Sequence, residues 1–529
     1  MAPAAFALGL DVALDQSTVE EDNVPWVSWY LDDGTIIGSM DGVPAYVDKL
    51  VPALASIGLE VNPQKSRVWG PGAMMEGDLS DSLPDSMPLA HPMRLMPIVP
   101  FGPSAGVTVL GIPCDTPGSD SHARKKWASA VTNTTSVLDK LRRLPDGQLR
   151  HALVRHCLDA CKVNHLMRAT PHTSGAESVR TLSDALKVAV LDLIGCGMTN
   201  GAWEQATMPI SVGGLGIRDP ASVWPEARIA ALANFHSRAC DLGIPSDLVA
   251  IPARDTLATV KALCNTLGGH HEPVGQWLAD VHKVKMAEPA HCKQSWWAEQ
   301  VARARRAKLP SLGTARDRAR LDAQEGALAH AWLTVVPSRT LGTCLSDSDF
   351  RSLCRFWLGI PLLPDGCHWI CPACGDPCDA YGDHWVSCPK NGISRRHNSL
   401  RDELARILAA ASVQHAKEVT SGDRKRPADI LLVGWDRGRD ICVDLTVTNP
   451  LCASNHPLQP GVGRAHLGTA EREKIRLEGP LCAKVGWGFH PAAFSPWGGQ
   501  GPKCKWLIEE ITKRVTADLP MAAHAEQRN

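Results

Sequence analysis

Cys371-Pro372-Ala373-Cys374, followed by His384 and Cys388, constrains this chain more tightly than any other stretch. Two thiols separated by two residues form a knuckle, and a second pair three residues apart can close a tetrahedral set on a short helix or loop. A segment built this way folds around a metal ion rather than around an apolar core. Five of the 18 cysteines fall between Cys367 and Cys388, and Gly375 stands where the knuckle turn needs it. Chance clustering in a cysteine-rich chain is the rival explanation. Cys371, Cys374, His384 and Cys388 are the expected Zn2+ ligands, with Cys367 and Cys378 as spare candidates. Protein would fill all four positions, so the metal should hold structure and present nearby basic residues rather than react.

A second arrangement follows directly. Arg395-Arg396-His397-Asn398 leads into a helix striped by Leu400, Leu404, Ile407 and Leu408; Glu418 comes next, then Arg426-Pro427-Ala428-Asp429 and the strand Ile430 to Val433. Across the turn Asp436-Arg437-Gly438-Arg439 runs a second strand, Ile441 to Val447, with Asp444 inside it. Such a hairpin can bring Asp429 and Asp444 to one Mg2+ site. Lys474, on a helical stretch expected from Gly468 to Leu477, could orient water or offset charge on a scissile phosphate. Two surface-edge aspartates on an ordinary hairpin are the alternative. The pattern resembles the restriction-like, PD-(D/E)XK endonuclease domain: by position Asp429 matches the first acid, Asp444 the second and Lys474 a lysine displaced onto the following helix. Glu418 matches an additional metal-binding glutamate. Thr446 departs from the pattern, standing where its simplest form has lysine.

Near the start, Tyr30-Leu31-Asp32-Asp33 is followed by Gly34-Thr35-Ile36-Ile37. Val27 to Leu31 reads as one strand and Thr35 to Gly38 as its hairpin partner, with Asp-Gly at the bend. Both carboxylates would then emerge at one end of a sheet, where oxygen ligands could hold Mg2+. Asp-Asp-Gly is also an ordinary hairpin turn. The segments that follow are Gly58-Leu59-Glu60-Val61-Asn62-Pro63-Gln64-Lys65-Ser66 and the apolar strand Val107 to Ile112. In this order the three resemble successive palm motifs of non-LTR retrotransposon reverse transcriptases, over roughly residues 1 to 115. Met1 to Phe6 resembles the tail of that family's Q-G-D-P-x-x-P-x-x-F segment, with Phe6, Leu10 and Leu14 striping the next helix. The resemblance therefore implies that the fingers and the first catalytic aspartate lie upstream, that Asp11 and Asp15 sit on a helix surface, and that the polymerase is inactive as written.

Between these regions, residues 71–106 are rich in Pro, Gly, Ser, Asp and Met and are expected to form an irregular insertion. From about 122 to 240 the pattern turns helical: Val137, Leu138, Leu141 and Leu144 precede Pro145, and Leu149, Leu153, Cys157 and Cys161 are expected to stripe the next helix. The family's thumb falls at this point. Met208 to Ile217 has glycines for a tight turn before a helix over Ala221 to Ser237, a plain chain reversal or a phosphate cradle. The expected order is a partial palm at 1–118, a thumb-like region at 119–244, a helical linker at 245–360, the zinc knuckle at 361–394, the nuclease domain at 395–515 and a disordered tail at 516–529. That is an α+β chain.

Composition excludes some classes. No run approaches the roughly 18 apolar residues of a membrane span; the apolar Ala2 to Leu14, without the basic flank and cleavage site of a signal peptide, reads as a core helix, with a signal peptide as the alternative. Cysteines scattered singly through apolar stretches suit reduced, buried thiols. A net charge of -1 supplies no global pull on nucleic acid, so binding would fall to local clusters such as Arg124-Lys125-Lys126, Arg303 to Lys308, Arg395-Arg396 and Arg424-Lys425-Arg426. Singly, each cluster also reads as a solvated face. A zinc knuckle and nuclease after a thumb resemble the C-terminal half of site-specific non-LTR retrotransposons. In these the nuclease nicks chromosomal DNA and the reverse transcriptase primes copying of the element's RNA from the freed 3′ hydroxyl. The resemblance implies target DNA and element RNA as partners and a nuclear location. A non-catalytic, zinc-containing nucleic-acid-binding remnant and an inert product of a decayed element are the competing readings.

Overall fold

The computed structural model describes residues 2–17, 24–70, 91–99, 101–241, 263, 266–267, 290, 292–325, 329–364, 366–388, 390, 392–420, 428–452 and 462–517. The cluster Arg424-Lys425-Arg426, most of the expected insertion, much of the expected linker and residues 518–529 of the expected tail lie outside them; residues 516 and 517 close the last helix. The architecture is α+β, and no described helix is long and apolar enough to cross a membrane.

The first unit is built on helices α1 (Ala2–Asp15) and α2 (Gly42–Ser56), with the hairpin β1 (Trp26–Tyr30) and β2 (Asp33–Ile37) laid against them. Leu10, Ala13, Tyr46, Leu50 and Leu54 are buried together, with Phe6, Leu14, Val27, Trp29 and Ile36 packed on them. Asp11 and Asp15 stay exposed on α1. The bend differs from the expected Asp-Gly. Tyr30 pairs with Asp33, so the turn is Leu31-Asp32, with Leu31 at φ 54°. Gly34 lies inside β2 opposite Trp29, where a Cβ would meet the indole at 2.7 Å. Its glycine is demanded by a ring lying over the strand rather than by a turn.

A second correction concerns Val107 to Ile112, which is a hairpin rather than one strand. β3 (Gly106–Val109) and β4 (Ile112–Asp115) pair antiparallel around Leu110-Gly111, whose φ values of 49° and 81° suit a two-residue turn that follows strand twist.

Helices α3 (Ser121–Leu141), α4 (Gly147–Leu153), α5 (Asn164–Ala169), α6 (His172–Ile194), α7 (Asn200–Ala206) and α8 (Pro220–Asp241) form the central body. Its core runs from Trp127, Leu138 and Leu186 to Trp224. Of the expected stripe Leu149, Leu153, Cys157, Cys161, Leu153 packs half-buried against it, but Leu149 and Cys157 are exposed, while Arg150, His151, Val154 and Leu158 are buried. The polar members have internal partners, Asp192 at 2.8 Å for Arg150 and the Leu215 carbonyl at 2.7 Å for His151. Internal partners thus let the polar face turn inward. The glycine turn before α8 is a chain reversal. The N–H groups of Gly213, Gly214, Leu215 and Gly216 all donate to nearby carbonyls, and a Cβ on Gly214 would lie 1.9 Å from the Met208 oxygen.

Helices α9 (Gln294–Lys308), α10 (Ala315–Ala323) and α11 (Asp347–Leu358) occupy the stretch expected as a linker. Phe350, Cys354 and Trp357 of α11 belong to the same core as Trp127. The last unit is a four-stranded sheet of order β10-β9-β8-β7: β7 (His415–Lys417), β8 (Ile430–Asp436), β9 (Arg439–Val447) and β10 (Gly488–Phe494). The first three run antiparallel in sequence, and β10 returns parallel to β9 through the crossover helix α14 (Val462–Lys484), longer than the expected Gly468 to Leu477. Helices α13 (Ile393–Ala410) and α15 (Pro502–Ala517) complete the unit, whose core holds Leu408, Ile430, Leu432, Val443 and Leu507. Phe356 stacks on Trp497 at 3.8 Å, joining α11 to the chain just beyond β10.

Candidate functional site

The knuckle assembles as its spacing predicts. Short strands β5 (Trp369–Ile370) and β6 (Pro377–Cys378) and helix α12 (Asp383–Ser387) bring Cys371, Cys374, His384 and Cys388 together, with all four ligand atoms within 4.8 Å of one another. Gly375, at φ 86°, donates its N–H to the Cys371 carbonyl at 2.8 Å, closing the turn between the first two thiols. The Asp379 carboxylate accepts from the backbone N–H groups of Tyr381, Asp383 and His384, which caps α12 and sets the third ligand. Hydrogen bonds from backbone N–H groups, first that of Cys374, bring the Cys371 thiol down to about 6. A thiol so lowered is readily a thiolate, the form that ligates. The quartet could hold a metal ion, and three thiols with one imidazole suit zinc. The spare candidate Cys378 instead accepts from the Trp385 indole N–H at 2.9 Å.

The acid pair assembles on the four-stranded sheet. Asp429 precedes β8 directly and donates its N–H to the Val443 carbonyl at 3.0 Å, which sets it beside Asp444 across the ladder. Its carboxylate accepts from the Leu445 N–H at 2.6 Å and meets His397 Nε2 at 2.8 Å. Asp444 is buried, and its Oδ2 faces the Lys474 ammonium at 2.9 Å without a hydrogen bond of ordinary geometry. Burial pushes the Asp444 carboxyl up; Lys474 pulls against that, and the negative charges of Asp429 and Glu478 push it further up.

Glu418 lies next to this pair without joining it. Its N–H donates to the Asp429 carbonyl at 2.9 Å, but its carboxylate is held by Arg401. Asp32 and Asp33 stand apart at the exposed hairpin tip. Among the described residues, only the Cys/His quartet groups three or more candidate metal ligands.

Two sets of residues acquire roles that their sequence context left unassigned. His397 and Arg401, four apart on α13, reach Asp429 and Glu418 respectively; the i,i+4 spacing was the available signal. On α14 the positions Leu467, Glu471, Lys474, Glu478 and Cys482 recur at three- and four-residue intervals, a core stripe with charge in its middle. Buried Glu471 accepts from the N–H groups of Lys503 and Cys504 and so caps α15, while Lys474 serves Asp444.

The basic clusters are largely engaged within the chain. Arg124 pairs with Asp120 at 2.8 Å, Arg305 with Glu204 at 2.7 Å, and Arg396 donates to the Trp385 and Val386 carbonyls. No protein-family model matches the chain, and no curated protein does.

Proposed function

We propose that the chain belongs to a non-LTR retrotransposon RNA-directed DNA polymerase/endonuclease and that its C-terminal domain nicks DNA with Mg2+. The single observation that carries the reading is the convergence of Asp429, Asp444 and Lys474 from a strand start, a strand interior and a crossover helix. Asp429 and Asp444 would hold the Mg2+, which when bound supplies Lewis acidity and a bound water of lowered pKa. Asp444 Oδ2, buried beside Asp429 and facing the Lys474 ammonium at 2.9 Å, is a hard oxygen ligand of the kind such a cation takes. His397 on Oδ1 and the Leu445 N–H on Oδ2 fix the orientation of the Asp429 carboxylate, each oxygen keeping a further lone pair for a cation. Lys474 offsets the buried charge of Asp444 and stands where it can face the charge of a scissile phosphate. In this reading Asp32 and Asp33 belong to the palm hairpin and also recruit Mg2+, target DNA and element RNA are the partners, and a chromosomal target implies a nuclear location.

The test is conversion of supercoiled plasmid to nicked circle by purified protein with Mg2+. Nicking should exceed that of Asp444→Ala by about 100-fold, and equal rates in the two would refute the reading. One observation favours a second reading, a non-catalytic nucleic-acid-binding remnant: among the described residues the acid pair gathers no third ligand. Salt-sensitive DNA binding without Mg2+-dependent nicking would be its signature.

A further inference from the structure

We propose that the indoles of Trp369 and Trp385 form a stacking surface for an unpaired nucleobase of a single-stranded nucleic acid. Both rings are open, 49 % and 40 % exposed, and Ile370 beside them is also exposed. They meet edge to face with centroids 6.3 Å apart, an arrangement that, unlike a stack, does not seal one indole face against the other. Neither ring hangs on a loose segment. Trp369 pairs with Cys378 across the β5–β6 ladder, and Trp385 donates its indole N–H to the same Cys378 Sγ at 2.9 Å. The Cys/His quartet pins both elements, so two apolar faces are held in solvent by a rigid scaffold. A preorganised ring loses little freedom when a partner stacks on it.

Charge around the pair selects a polyanion over an apolar protein surface. Arg396 lies against the Trp385 and Val386 carbonyls, and Lys390 and Arg395 are exposed on the chain that leaves the knuckle. Two nearby acids are turned away: Asp379 is consumed by three backbone N–H groups, and Asp383 is paired with Arg316. Asp376 is the exposed acid among the described residues of the knuckle. Aromatic rings beside cations bind single strands because every base has a π-face and every nucleotide a phosphate. Duplex bases are already stacked on one another and cannot offer that face. The two candidate sites are neighbours along α13, since Arg396 reaches the Trp385 carbonyl and the next residue, His397, touches Asp429. The proposal deepens the nucleic-acid reading above, but it does not depend on cleavage.

The experiment is a fluorescence-anisotropy titration of the full chain with a labelled oligothymidine, an abasic strand and a duplex of equal length, without Mg2+ and with zinc retained. Trp369→Ala should weaken oligothymidine binding by roughly 5- to 150-fold, the range expected for one stacked base. The abasic strand and the duplex should change less than about twofold, because stacking contributes little to either. Trp369→Phe should recover most of the loss. Trp385→Phe keeps a ring while removing the N–H to Cys378, and zinc measured per chain shows whether the knuckle survives each change. Unchanged oligothymidine affinity in zinc-loaded Trp369→Ala overturns the proposal, as does an equal loss for the abasic strand, which would leave backbone charge alone. A chain that binds oligothymidine through Trp369 yet fails to nick plasmid would remove the endonuclease reading and leave this one standing.

Discussion

Two hairpins in this chain carry a pair of aspartates, and they put them to opposite use. In β1–β2 the acids lie at the tip, on a two-stranded ribbon, exposed. In β8–β9 they lie at the far end from the turn, Asp429 just before β8 and Asp444 within β9, the two central strands of a four-stranded sheet, with Asp444 buried. The turns themselves are alike, each opening on a non-glycine residue in the left-handed region, Leu31 at φ 54° and Arg437 at φ 51°. The surroundings differ. His397 comes from α13 to Asp429 and Lys474 from α14 to Asp444, whereas the covering helices of the first hairpin, α1 and α2, present an apolar face. A carboxylate becomes chemically distinctive through burial and partners, not through the motif that carries it.

Substitutions can break or sharpen this contrast. The largest effect should come from Asp444→Ala, which should lower Mg2+-dependent nicking by at least about 100-fold, while Asp32→Ala and Asp33→Ala leave the rate unchanged. A loss confined to the Asp32 and Asp33 variants would invert the comparison. Next, His397→Ala should raise the Mg2+ concentration needed for half-maximal nicking by roughly 10- to 100-fold, as loss of a partner orienting a metal ligand does; a Mg2+ titration reads it.

Lys474→Met tests the electrostatics. The buried Asp444 carboxyl, already raised, must lose its proton to accept a cation, so nicking should climb as pH rises through its titration. Removing the ammonium that pulls the carboxyl down should move that acidic limb to higher pH, and a limb that stays in place would mean Asp444 does not control it. The smallest effect belongs to the first hairpin. Gly34→Ala drives a Cβ into the Trp29 ring and should cost about 1–3 kcal/mol locally. Hydrogen exchange at residues 26–30 should speed up with nicking unaltered.

Much of the site was legible because its residues are close in sequence. The knuckle ligands span 18 residues, the turn at 436–439 carries its own Gly438, and the stripe Phe6, Leu10, Leu14 lies on one helix. Readings failed where a distant partner intervened. Gly34 looked like a turn residue until Trp29 lay over it, and Leu149 looked like a core residue until Asp192 and the Leu215 carbonyl made the opposite, polar face of α4 buriable. His397 drew notice only as part of a basic run, since its partner Asp429 lies 32 positions away.

What the sequence determined by itself is therefore local: the Cys/His spacing, the two-acid strands, the helical stripe of α1, and the turns whose left-handed positions glycine favours. These depend on periodicity and backbone sterics within a few residues. The tertiary structure alone decided which aspartates are buried, which cation each one meets, and that the knuckle holds two open indoles beside the chain leading to them. Those outcomes depend on packing between elements far apart in sequence, where burial and charge act through space rather than along the chain.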